Sequence, residues 1–118
     1  MQDFRRLSVW AKAHELTLAI YRSSSGFPRE ENYGLTSQMR RAAASIPANI
    51  AEGCGRSGNP ELLYFLNVSL GSASELQYHL LLAKDLGFWS DGEYARLDTM
   101  LREVKQMLTS LAKRIRAA

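Results

Sequence analysis

Toward the end of the chain, apolar residues recur at steps of three and four: Tyr94, Leu97, Leu101, Val104, Leu108, Leu111 and Ile115. Steps that alternate in this way place every member on one face of an α-helix, as a continuous apolar seam. "SDGE" at 90–93 opens this helix as a capping box, with Ser90 at the N-cap and Glu93 three residues later. In the segment before it, Leu62, Leu66, Ser69, Ala73, Leu76, Leu80 and Ala83 form another stripe. There Asn59 stands as N-cap, Pro60 at the first helical position and Gly87 where a helix C-cap is expected. Gly71, Ser72 and Ser74 are poor helix formers, so their small size predicts close approach of another backbone. Nearer the start, Val9, Ala13, Leu16 and Ile20 mark a further helix, with Ser8 as N-cap and an end at the serines before Phe27-Pro28.

The remaining helix carries two distinct faces. With Gln38 at 0° and about 100° per residue, Leu35, Met39, Ala42, Ile46 and Ile50 share an apolar face. Arg41, Ser45, Asn49 and Glu52 fall with Gln38 on a polar strip beside it. Pro47 lies away from both and removes the donor for the Ala43 carbonyl, a lesion that costs about 3 kcal/mol in a helix interior. The pattern therefore predicts helices over about 9–24, 35–53, 60–86 and 91–116, with no alternating strand period. The expected fold is all-α: a single domain forming an antiparallel up-down four-helix bundle.

Composition agrees with one compact domain of 118 residues, 46% hydrophobic and 23% charged. Uninterrupted apolar runs such as "LLLA" at 80–83 are too short to cross a bilayer, and "MQDFRRLSVW" lacks a signal peptide's apolar stretch. With Cys54 the lone cysteine, a cytoplasmic setting and no membrane partner are expected. The net charge is +3, and it is unevenly placed: after position 101, Arg102, Lys105, Lys113, Arg114 and Arg116 face only Glu103. Such an excess can attract nucleic acid, although cations also complement the dipole at a helix C-terminus.

Several chemistries can be weighed against the spacing. "GCGRSG" at 53–58 matches G-x-G-x-x-G, but no strand precedes it, so it reads as a connector between helices. A di-metal bundle needs Glu-x-x-His pairs, whereas Glu75 precedes His79 by four residues and His14 has no such partner. The Arg-then-His motif of HEPN ribonucleases is missing, and no histidine in the neighbouring sequence activates Cys54, which lies in a glycine-rich turn where it could be exposed. His79 is expected to be partly exposed. No catalytic residue, metal or cofactor is therefore assigned, and the protein is expected not to be an enzyme. What remains is the polar strip of Gln38, Arg41, Ser45, Asn49 and Glu52, with Glu75 placed to face it from the next helix. We read it as a network fixing helices or subunits together, with Arg41 near Glu52 or Glu75, since buried charges persist only when paired. Its functional alternative is a ligand or RNA surface.

The stretches "FPREENYGLTSQMRRAAASIPANIAEGCGR" and "FLNVSLGSASELQYHLLLAKDLG", with the opening "DFRRLSVWAKAHELTLAIY", resemble a bacterial family. It is the four-helix bundle family of proteins encoded in intervening sequences of 23S ribosomal RNA genes, also labelled S23 ribosomal proteins. The resemblance implies an up-down bundle and assembly as a homopentameric ring. Distant relatives, accessory factors of diversity-generating retroelements, imply contact with RNA or a ribonucleoprotein. Five copies would raise the charge to about +15. Arg40, Arg41, Lys113, Arg114 and Arg116 are the residues expected to contact RNA. A protein-interaction scaffold without a nucleic-acid role is the competing expectation.

Overall fold

The structure is a computed structural model that describes residues 2–118, and four α-helices carry the fold. They are α1 (Ser8–Ser23), α2 (Leu35–Cys54), α3 (Asn59–Asp85) and α4 (Asp91–Ala117), with short 3-10 turns at Phe4–Arg6 and Arg29–Glu31. No strand occurs among the described residues. Each helix packs on its neighbours in chain order, and α4 closes the ring onto α1, while the diagonal pairs show no close backbone approach. The result is an elongated up-down bundle of 45 × 24 × 20 Å.

The apolar stripes supply the core. Leu16, Ile20, Met39, Ile46, Ile50, Leu66, Leu76, Leu80, Leu97, Leu101 and Leu108 are fully buried. Tyr94 and Ile115, at the two ends of the α4 seam, are only partly buried. Burying a Leu- or Ile-sized side chain contributes about 1.5–3 kcal/mol, so these stripes dominate the stability of the bundle.

The helix ends are built partly as expected. Ser90 Oγ accepts from the Glu93 N–H at 3.1 Å, as a capping box requires. The Glu93 carboxylate, however, turns away to Ser23 and Arg96. At the end of α3, Gly87 takes a positive φ of 79°, its N–H reaches Lys84 O, and the Phe88 N–H reaches Ala83 O at 2.9 Å. That pair of bonds is the Schellman arrangement, and a residue with a Cβ would be strained at Gly87. Two expected caps move. Leu7 rather than Ser8 is the N-cap of α1, and Gly58 rather than Asn59 is that of α3; neither position has a side-chain cap.

Packing between α2 and α3 is the closest in the molecule, but different small residues carry it. Gly71 has open space where a Cβ would stand and Ser74 is exposed, so neither is at the contact. The contact runs through Gly53, Ser69 and Ser72. A Cβ on Gly53 would lie 3.0 Å from both Leu62 Cδ1 and Phe65 Cβ. Ser69 is fully buried and donates to the Ile46 carbonyl at 2.9 Å. The first glycine of "GCGRSG" thus belongs to α2 and serves close packing, while Cys54 is the last residue of α2, buried and not exposed. Burial pushes its thiol pKa up.

Pro47 is buried as well. The Ala43 carbonyl, which Pro47 leaves without a helical donor, lies 3.1 Å from Thr17 Oγ1 of α1. The same hydroxyl is 2.9 Å from Ala13 O, so one proton serves both carbonyls. Thr17→Val keeps the shape and removes that donor, which is expected to cost about 1–3 kcal/mol in urea unfolding. In a Pro47→Ala background, where residue 47 again supplies an N–H to Ala43, the same substitution should cost clearly less. Equal costs in both backgrounds would separate Thr17 from the proline.

Candidate functional site

Helix α2 positions most of the predicted polar strip, and the structure distributes its members differently from the expectation. Arg41 donates to Gln38 one turn earlier and makes no ion pair with Glu52 or Glu75 among the described residues. Glu52 instead pairs with Arg56 at 2.9 Å, and Glu75 lies 3.7 Å from His79 Nε2. Both carboxylates are half exposed, and solvent satisfies them without Arg41. Ser45 and Asn49 do form a network. Asn49 Nδ2 donates to Ser45 O and Oγ at 2.8 and 2.9 Å, and Ser45 Oγ meets Ser72 Oγ of α3 at 2.8 Å. The middle of the strip therefore joins α2 to α3, while its two ends are solvated.

His79 is buried, contrary to its expected partial exposure, and its Nδ1 has no partner. Helix periodicity missed it because His79 adjoins Leu80 at the edge of the α3 stripe. Desolvation depresses its pKa below the usual 6.5; Glu75 opposes the shift and Arg41 adds to it.

The cationic residues separate into two surfaces at opposite ends of the bundle. Arg40 is spent on α1: Nε donates to Ser24 Oγ at 2.9 Å, Nη2 donates to Tyr21 O at 3.0 Å, and the guanidinium sits over the Tyr21 ring. It thereby caps the C-terminal carbonyls of α1 with a positive charge. Lys113, Arg114 and Arg116 lie at the far end, all exposed and without an ion pair among the described residues.

At that end α1 begins, α2 ends, α3 begins and α4 ends, with Gln2 N–H bonded to Cys54 O at 3.0 Å. Topology therefore adds Arg5, Arg6 and Arg56 to the three C-terminal cations, six in all, against Asp3, Glu52 and Glu61. The local excess equals the whole net charge of +3. Sequence reading saw only the C-terminal half of this cluster, because Arg5 and Arg6 are about a hundred positions away in the chain. Lys113 and Arg114 also line a cleft of about 490 Å³ with Leu7, Val9, Met107 and Leu111.

The opposite end is held by polar and aromatic contacts. Trp89 Nε1 donates to Ser23 O at 2.9 Å, and Phe27 packs between Phe88 and Trp89. Hydrogen bonds from Arg96, and then from Ser23, hold the Glu93 carboxyl down at about 2. Its contribution to stability is present above the ordinary 4.5 and is lost as pH falls through about 2.

The profile of the 23S rRNA-intervening sequence protein family matches residues 5–110. The chain belongs to this family. In fold, this family member is similar to a crystal structure from Bacteroides thetaiotaomicron, described as a protein with unknown function from the S23 ribosomal protein family. The two share 24% identity with a TM-score of 0.82, over 89% of this chain and 95% of that one. No curated protein matches. No described helix is long and apolar enough to cross a membrane.

Because the native His79 pKa is depressed, the neutral form is the one the fold favours. Its stabilisation is present above about 6.5 and is lost as pH falls through the native pKa. A histidine NMR titration should find His79 titrating below that value, and Glu75→Gln should lower it further. A midpoint above 6.5 would contradict the burial.

Proposed function

We propose that this protein is a non-enzymatic, cytoplasmic, self-associating bundle that binds RNA or a ribonucleoprotein through its basic end. The observation that carries this reading is the concentration of the net positive charge where α1 starts and α4 stops. Exposed, unpaired lysine and arginine side chains keep their full attraction for phosphate, and their affinity falls steeply with salt. Membership of a family named for 23S rRNA intervening sequences supports the choice of RNA as partner. Assembly, which the resemblance implies as a ring of five, would repeat the cluster and multiply its field.

A second reading, a protein-interaction scaffold, draws on Tyr64, Tyr78 and Leu81, which leave a large part of the outer face of α3 apolar and exposed. Tyrosine-rich patches of this kind suit protein interfaces.

Filter binding of structured RNA over a salt series tests the first reading. Lys113→Gln, Arg114→Gln and Arg116→Gln together should weaken binding and reduce the salt slope by about one for each phosphate no longer neutralised. Arg29→Gln, at the other end, should change neither. Absence of RNA retention at low salt would leave the scaffold reading. Light scattering tests assembly separately, since a mass near 13.3 kDa would mean a monomer.

A further inference from the structure

A cleft opens at the basic end, where the first turn of α1 meets the last turns of α4. On α4, Met107, Ser110, Leu111 and Arg114 stand at i, i+3, i+4 and i+7, so one helical face carries all four. Leu7 and Val9, at the start of α1, form the facing wall. The volume is about 490 Å³, within the range of sites that take small organic groups.

Its chemistry is divided between floor and rim. Leu7, Val9, Met107 and Leu111 make the floor apolar, and Leu7 and Met107 are only half-buried, so apolar surface faces the opening. On the rim, Lys113 and Arg114 are exposed and have no ion pair among the described residues. No carboxylate lines the cleft. The nearest on this face of α4, Glu103, lies one turn before Met107 and is turned to Lys12 at 3.2 Å. The rim therefore selects an anion, and the floor selects an apolar body attached to it. A single anionic headgroup would occupy two cations at most. Here Arg6 and Arg116, exposed at the same end, carry positive charge on beyond the cleft. That extension suits a run of phosphates on either side of one inserted group.

We infer that the basic end takes unpaired RNA, with one base turned into the α1–α4 cleft and its flanking phosphates on Lys113 and Arg114. This rests on RNA binding at the basic end and specifies the form of RNA bound there. A base in a duplex is paired and stacked on both faces, and it cannot enter. A single strand or loop splays a base out at small cost, and apolar side chains then cover its faces while polar ones bond its edge. Gln106, on the cleft wall, offers both a donor and an acceptor for that edge.

Fluorescence anisotropy on the full-length protein tests this with three probes of equal length: a single-stranded RNA, the blunt duplex of the same sequence, and a strand without bases. Phosphate attraction alone favours the duplex, whose charge is denser. An inserted base reverses that order, and the intact single strand is expected to bind about tenfold more tightly than either other probe. Ser110→Leu fills the cleft from an exposed position and adds neither ring nor charge, and Met107→Gln makes the floor polar. Each should bring the single strand down to the level of the baseless strand. Each should also leave duplex binding and the salt slope as in the parent, because no phosphate contact is lost. Lys113→Gln should instead lower the salt slope for every probe. A duplex bound as tightly as the single strand, or Ser110→Leu binding like the parent, overturns the inserted base and leaves RNA binding in place. Failure of all three probes at low salt overturns RNA binding itself, and the inserted base with it.

Discussion

Helix α2 is held from both sides by buried hydroxyls that reach its backbone carbonyls, Thr17 from α1 at Ala43 and Ser69 from α3 at Ile46. The two carbonyls are three residues apart and lie in the turn before Pro47, where the proline weakens the helical ladder. A proline-broken segment could bend or slide against its neighbours. Anchoring its carbonyls with donors from two other helices fixes both rotation and register, and the apolar stripes then interdigitate in one way. Apolar packing supplies most of the energy of the bundle, but it is tolerant of small sliding. Directional bonds to backbone are not.

With α2 fixed, the rest of the surface follows. Its closeness to α3, through Gly53, Ser69 and Ser72, turns Gln38, Arg41 and Glu52 outward and leaves Ser45 and Asn49 at the seam. Register against α1 brings Arg40 over the last turn of that helix, where its charge meets carbonyls that would otherwise face water. One end of the bundle is thus tied by Arg40, Trp89 and the Ser23–Glu93–Arg96 bonds. At the other end, Arg6, Lys113, Arg114 and Arg116 have no ion pair among the described residues, which leaves their charges available.

The four helices, their order and nearly all of the core were legible because each stripe keeps one period over several turns, as Leu97 to Leu111 does. What escaped the sequence depended on partners far away in the chain. A lone proline announces a carbonyl without a donor, but nothing local says that Thr17 is the residue that comes to it. Arg41 beside Glu52 and Glu75 was a reasonable pairing by charge, yet short-range Arg56 and His79 were nearer to those carboxylates. His79 and Cys54 were misjudged because both sit at the edge of an apolar stripe, where a shift of a few degrees decides burial. The basic end was half visible: periodicity places α4, and only the topology adds Arg5, Arg6 and Arg56.

The two ends of the bundle differ in physics as well as in place. At the basic end, mobile cations act over a Debye length of about 8–10 Å and need no fixed geometry, which fits a long polyanion met in many orientations. At the opposite end the contacts are directed hydrogen bonds, Arg40 to the Tyr21 carbonyl and Trp89 to the Ser23 carbonyl, fixed by the fold and effective only within hydrogen-bonding distance. Arg40 and Thr17 tie α1 to the same stretch of α2, which makes this a rigid corner of the bundle. The basic end lies at the other pole of a 45 Å molecule, remote from these ties.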